Sequence, residues 1–350
     1  MRIAIVGGGI YGVFLALELQ KSLPVHIDLY EKNNELMMEA TTNNQHRLHL
    51  GFHYARSKET IIQSAQNYNY FLNHFKESIL IPNNNHYLIH ESSLVHKEQY
   101  LKAFSELSID YQKSSMKDLP LFNSKQYTEC IKVKEGVIFT NILRNRLLQE
   151  LKESKINIYL NTLIEHIEDN TLYIKNQLSN EKYDIVINST YYNASMGLKN
   201  PIQMKYELCC LLLVQNINLK DLGITIVDGN YVSLYPANNG LHTLSSVIET
   251  PFIKAETTGE AYDILKEKEE LYISSDVKYK ILEDASKYLN INSADVVGKY
   301  LTLKAKIKND INDTREAFII EEQDFYSIVC GKISVVHSIA NNLIEKIKSK

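Results

Sequence analysis

The chain has 350 residues, 44% hydrophobic and 23% charged, the composition of a globular protein with an ample core and not of a disordered one. Its 38 Lys and Arg against 42 Asp and Glu leave a net charge of -4, without the basic excess that nucleic-acid binding asks for. The longest apolar run, Leu208 to Val214, is too short for a membrane span, no signal-peptide pattern precedes Ile3-Ala4-Ile5-Val6, and the four cysteines (Cys130, Cys209, Cys210, Cys330) lack metal spacing, which together read as a reduced, cytoplasmic, metal-free protein.

In chain order, Arg2 to Val6 reads as a strand, Ile10 to Lys21 as a helix carrying Val13, Phe14 and Leu17 on its apolar face, and Val25 to Tyr30 as a second strand after Pro24. Thr41 to Lys58 is a long polar segment without helical period, the kind of loop that compact proteins keep for function. Glu59 to Phe75 is a helix, Ile79 to Ile89 a hairpin around Pro82-Asn83-Asn84-Asn85, and His96 to Leu107 a helix. Val137 to Phe139 is a strand, Asn141 to Glu153 an amphipathic helix, Ile156 to Asn161 a strand, Ile164 to Gln177 a hairpin and Tyr183 to Asn188 a buried strand. Lys205 to Gln215, Tyr231 to Tyr235 and Leu241 to Val247 are strands of an antiparallel sheet; Ala261 to Leu289 is mostly helical, Leu301 to Lys308 and Phe325 to Val329 are strands, and Val335 to Ile347 is a closing helix.

Gly7-Gly8-Gly9-Ile10-Tyr11-Gly12 spells G-x-G-x-x-G between the first strand and the first helix. Gly7 permits the tight turn, Gly9 lets a pyrophosphate approach the backbone, and Gly12 lets helix and strand pack closely. The helix start offers N–H groups and partial positive charge to phosphates. Glu31 ends the second strand at the spacing of the acid that binds a ribose hydroxyl, which favours FAD or NAD over NADP.

The loop that follows carries a resemblance. Asn44-Gln45-His46-Arg47-Leu48-His49-Leu50-Gly51-Phe52-His53-Tyr54 resembles a segment of the D-amino-acid oxidase-like superfamily of FAD enzymes. Its N-x-x-x-x-H-x-G-x-x-Y pattern is similar to that of L-2-hydroxyglutarate dehydrogenases, and its H-x-G-x-x-Y to FAD-linked glycerol-3-phosphate dehydrogenases, with His53 where those families have Tyr or Arg. Gly331-Lys332-Ile333-Ser334, ahead of the last helix, resembles the G-K-W-T-T turn that sits at the flavin ring in such proteins. Glu135-Gly136-Val137-Ile138 with Ile156-Asn157-Ile158-Tyr159 resembles the superfamily's middle, and Asp184 to Thr190 resembles the strand that ends there in Ala-Ala-Gly, although Thr190-Tyr191 stands in place of the last glycine.

The resemblance implies an α/β fold, with a Rossmann-like FAD-binding domain (1–76, 131–200 and 309–350) interleaved with an antiparallel-sheet substrate domain (77–130 and 201–308), as in DAO-like, glutathione-reductase-type flavoproteins. FAD would be held non-covalently by Gly7, Gly9, Gly12, Glu31, Asn44, Gly331, Lys332 and Ser334, Cys330 being the residue placed for a covalent link. Oxidation of a C–H bond by a flavin needs an acceptor for the substrate's O–H or N–H proton. His49 and His53 are the candidates for that base, with Tyr54 beside them, and the choice between the two is open. Arg47, Arg56 and Arg315 are candidates for holding an anionic substrate group, because an Arg fork matches carboxylate or phosphate. The chain has 23 tyrosines and no Trp, and Tyr206, Tyr231 and Tyr235 on the predicted sheet could wall a polar site.

The expected activity is FAD-dependent oxidation of a CH–OH or CH–NH group in a small, polar, anionic metabolite. The electron acceptor is open among oxygen, quinone and another protein. Alternatives are a mutase-like flavoenzyme acting on sugar nucleotides without net redox, an NAD-dependent dehydrogenase, and a non-catalytic nucleotide-binding module.

Overall fold

The computed structural model describes residues 1–175, 181–216, 219, 221–291, 295–308 and 316–350. Arg315 and the end of the 164–177 hairpin lie outside the described residues. The chain divides into two compact units.

The first unit gathers Met1–Thr42, Asn141–Lys205 and Ala305–Lys350. Its six-stranded sheet has the order Phe318–Glu322, Phe325–Val329, Ile185–Asn188, Arg2–Val6, His26–Tyr30, Asn157–Tyr159. Every pairing is parallel except the antiparallel edge pair Phe318–Glu322 and Phe325–Val329. Strands covered on both faces need apolar residues at successive positions. Ile3-Ala4-Ile5 and Ile185-Val186-Ile187 supply them, and all six are buried. The helices Ile10–Ser22 and Val336–Lys348 pack together, with Phe14 meeting the His337 ring edge-on. A small antiparallel sheet (Ile164–Glu168, Thr171–Ile174, Glu181–Lys182) contributes Ile164, Ile167 and Leu172 to a core with Val186 and Phe325. Tyr191, standing where a glycine was expected from the family pattern, adopts φ 64°, the left-handed region glycine favours.

The second unit is Asn43–Thr140 with Tyr206–Lys304. Its nine-stranded sheet runs Pro251–Ala255, Met204–Val214, His242–Ser246, Val232–Pro236, Leu222–Val227, Asn84–His90, Tyr127–Lys132, Gln112–Lys113, with Val296–Ile307 also paired to Met204–Val214. The pairings within that run are antiparallel except Asn84–His90 with Leu222–Val227, which is parallel. The helix Val277–Ser286 packs on the strand His242–Ser246, and Val277, Ile281 and Ala285 join Leu212, Leu234 and Leu244 in the core.

Two expectations change. The hairpin over 79–89 does not form: Ile79–Leu80 pairs with Gly136–Ile138, and Asn84–His90 enters the large sheet. Alternating polarity marks an extended segment but leaves its partner undetermined. Residues 43–76 and 131–140, expected with the first unit, group with the second. There Arg47–Leu48 pairs with Gly136–Ile138, and Phe52 and Ile61 are buried with Tyr87, Ile89 and Tyr100. Among the described residues no helix is long and apolar enough to cross a membrane, and no cluster of His, Cys, Asp and Glu could hold a metal ion.

Candidate functional site

In the first unit the chain leaves its first strand at Gly7, whose φ of 106° lies in the left-handed region. The Gly7 N–H donates to Tyr30 O at 2.8 Å. The Gly8 N–H donates to Glu31 Oε2 at 2.7 Å and the Asn33 N–H to Glu31 Oε1 at 2.9 Å, so the acid at the end of the second strand is tied to the glycine turn. Gly9 starts the helix with no side-chain cap and no acidic residue in the first turn; the Ile10 N–H donates to Thr41 Oγ1 at 3.1 Å. A Cβ added to Gly9 would find within 4 Å only Thr41 Oγ1, at 3.7 Å, so this face of the turn is open.

At the other end of the chain the buried Tyr11 hydroxyl donates to Lys332 O at 2.7 Å, pinning the last turn to the first helix. Burial raises the Tyr11 phenol well above its usual value, so it stays protonated and remains a donor. Lys332 opens the short turn Ile333–Val335 that leads into the helix Val336–Lys348, and its side chain is buried. Within that turn Ser334 Oγ is buried with no hydrogen-bond partner among the described residues. A helix start with an open glycine face, a carboxylate held at the second strand and an orphaned buried hydroxyl at the last turn fit the two ends of FAD.

The second unit carries the polar loop. Asn44 Oδ1 accepts from the His46 N–H at 2.5 Å, an Asx turn that supports His46 at φ 55°. His46 O accepts from the Ile138 N–H at 2.7 Å. Gln45 reaches the sheet, donating to Ser233 Oγ and Ser245 Oγ. Arg47 is buried: Nη1 donates to Thr225 Oγ1 at 2.7 Å, and the guanidinium lies 4.0 Å from the Tyr235 ring centroid. Its Nε and Nη2 have no hydrogen-bond partner among the described residues.

His49, His53 and Tyr54 come together, with ring centroids 6.3 Å apart for the two histidines and 5.5 and 5.3 Å from each to Tyr54. His53 is exposed and His49 mostly buried. Behind His49 stands Glu135, fully buried, with Oε1 3.6 Å from His49 Nδ1. Burial alone would raise the Glu135 carboxyl, but His49, the Tyr87 hydroxyl and Arg47 hold it down at about 2.

Arg56 pairs with Asp228 (Nε to Oδ2, 2.6 Å) and is half exposed. Tyr235 lies beneath Arg47 and donates to Gly136 O at 3.0 Å, whereas Tyr206 meets Thr258 Oγ1 at 2.9 Å. The residue that sequence reasoning gave no role is Glu135. Its signal was present, an acid directly ahead of the apolar strand Gly136–Ile138, but the partner that makes it informative is remote in sequence.

The profile of the family described as FAD dependent oxidoreductase (DAO) matches residues 2–296. The chain is 27% identical over 339 residues to the FAD-dependent monooxygenase FPY4 of Fusarium mangiferae, covering 95% of this chain and 88% of that protein. It is 27% identical over 256 residues to the FAD-dependent monooxygenase kojA of Aspergillus flavus, covering 68% of this chain and 58% of that protein. In structure it resembles the L-alpha-glycerophosphate oxidase of Mycoplasma pneumoniae with FAD bound (TM-score 0.76, 16% identity, 100% of this chain and 95% of that chain). It also resembles the glycine oxidase of Bacillus cereus (TM-score 0.73, 13% identity, 99% of this chain and 95% of that chain).

Proposed function

Because the chain belongs to the DAO family of FAD-dependent oxidoreductases, we propose that it oxidises a CH–OH or CH–NH group of a small, polar, anionic metabolite. FAD supplies the two-electron acceptor when bound. In this reading the first unit is the FAD-binding unit: Gly7, Gly9 and Gly12 shape the phosphate turn, Glu31 takes a ribose hydroxyl, and Gly331, Lys332 and Ser334 serve the ring end. The attachment is non-covalent. Burial pushes the Cys330 thiol up to about 12, which keeps it protonated and unreactive.

The second unit is the substrate unit. The observation that carries this is the His49–His53–Tyr54 cluster backed by a buried carboxylate. A histidine so placed accepts the proton that leaves the substrate's O–H or N–H as the C–H bond is oxidised. Arg47 supports an anionic substrate, since two of its nitrogens, Nε and Nη2, lack an acceptor among the described residues. Asn44 serves by fixing the loop through His46.

The test is anaerobic mixing of the holoenzyme with hydroxy acids, amino acids, polyol phosphates and sugar nucleotides. Bleaching of the flavin by a hydroxy or amino acid or a polyol phosphate supports the reading. A second reading, oxygen insertion, is favoured by the similarity to the two fungal monooxygenases. In that case only a reduced nicotinamide bleaches the flavin, and one oxygen atom of labelled dioxygen appears in the product, the other leaving as water. Turnover of a sugar nucleotide by pre-reduced enzyme, with no acceptor consumed, would instead mark a mutase-like reaction.

A further inference from the structure

Glu135 occupies a position that needs explaining. A carboxylate with no solvent exposure is costly unless its oxygens are satisfied and its charge is met. Here Oε1 accepts from the Leu50 N–H at 2.7 Å and the Gly51 N–H at 3.1 Å, and Oε2 accepts from the Tyr87 hydroxyl at 2.6 Å. The Tyr87 hydroxyl is also 3.4 Å from Arg47 Nη1, so the carboxylate is linked to a buried guanidinium on one side and touches an imidazole on the other. Both backbone donors belong to residues directly after His49, so the contacts that satisfy Glu135 also fix the loop on which His49 stands.

We propose that Glu135 is the positioning residue of His49: its carboxylate stands 3.6 Å from Nδ1 and, through the Leu50 and Gly51 N–H groups, fixes the loop that carries the imidazole. The inference rests on the reading above that a histidine of this cluster is the proton acceptor, and it takes His49 as that histidine. The balance of the step is simple. The substrate's O–H or N–H proton would go to His49, the C–H hydrogen would leave with its electron pair as a hydride that bound FAD would accept, and a carbonyl or imine results.

Arg47 gives the carboxylate its countercharge. Of the other groups facing the pair, His53 and Tyr54 lie beside His49, and Tyr87, Tyr68, Tyr100 and Tyr235 lie near Glu135. Burial raises all four of those phenols, so they stay neutral and Glu135 is the anion of the cluster. An anion within about 4 Å of an imidazole favours the charged ring and shifts its titration upward by about 1–3 units.

Histidine ring NMR on the holoenzyme tests this without any substrate. The His49 resonance is assigned by its loss in His49→Asn, and its titration is compared in wild type, Glu135→Gln and Glu135→Asp, with flavin content and circular dichroism as controls. The expected result is a His49 midpoint lower by about 1–3 units in the isosteric but neutral Glu135→Gln, a smaller change for His53, and a midpoint near wild type in Glu135→Asp. An unchanged His49 midpoint in a folded, flavin-loaded Glu135→Gln overturns the proposal. Should Gln prevent folding, Glu135→Asp still decides, because a His49 midpoint that falls despite a retained charge overturns it too. Failure of the underlying reading looks different: flavin bleaching by a substrate would be indifferent to His49→Asn whatever the titrations show.

Discussion

Gly12 lies so close to Gly7 that a Cβ built on it would stand 1.9 Å from the Gly7 carbonyl oxygen and 2.8 Å from Ser189 Oγ. Helix and turn are in backbone contact there, and no side chain fits between them. Three residues earlier, a Cβ on Gly9 would meet only Thr41 Oγ1, at an ordinary 3.7 Å. Gly12 is therefore constrained by packing, whereas Gly9 has room beside it.

Gly12→Ala is accordingly expected to destabilise the protein by about 1–3 kcal/mol or more, as overpacking does. Gly9→Val is expected to fold normally and lose FAD, because its side chain fills space that a pyrophosphate needs. Denaturant unfolding, circular dichroism and flavin content separate the two. Full flavin loading in Gly9→Val would show that phosphate does not bind at this turn.

Glu135 predicts how stability depends on pH. Its carboxyl is held at about 2 in the folded protein against an ordinary 4.5, a difference that corresponds to about 3 kcal/mol. Because the folded value is the lower one, this contribution is complete above about pH 4.5 and is lost as the pH falls from there through about 2. Melting temperatures of wild type should drop over that window more steeply than those of Glu135→Gln. Parallel curves for the two proteins would count against an ionised Glu135.

The last turn predicts a redox effect. Lys332 and the start of the final helix bring positive charge to the ring end of the proposed FAD site, and reduction makes the flavin's pyrimidine edge more negative. Loss of a charge contact worth about 1.4 kcal/mol lowers a two-electron potential by roughly 30 mV. Lys332→Met should retain FAD and shift the potential downward by tens of millivolts in a redox titration. A potential equal to wild type would place Lys332 away from the ring.

Acid precipitation is expected to release all of the yellow colour into the supernatant, since the Cys330 thiol, raised by burial, stays protonated. Colour retained in the pellet and lost in Cys330→Ala would establish a thioether to that residue.

Within the site, local features were legible and remote ones were not. The strand–turn–helix with three spaced glycines and Glu31 declares itself within one short stretch, because each residue answers to backbone geometry a few positions away. His49, His53 and Tyr54 could be grouped from their spacing in one loop. That Arg47 would be buried on Tyr235 while Arg56 pairs with Asp228 at the surface could not be read, since both are arginines in the same polar segment. Their fates follow from which strands the loop crosses.

The sequence by itself determined the parallel core that Ile3-Ala4-Ile5 and Ile185-Val186-Ile187 require and the dinucleotide turn, since hydrophobic period and glycine spacing act over a few residues, whereas the strands Tyr127–Lys132, Leu222–Val227, Pro251–Ala255 and Phe318–Glu322 were not read from it. Only the tertiary structure decided which strands pair. Asn84–His90 lies beside Leu222–Val227, and Ile79–Leu80 and Arg47–Leu48 flank Gly136–Ile138. Those pairings carry Glu135 to the Leu50 N–H across 85 positions of chain and place it behind His49. An isolated acid before a strand has no meaning in local terms; burial without solvent gives it one, because a carboxylate there must find donors and a countercharge, and the fold alone selects which residues supply them.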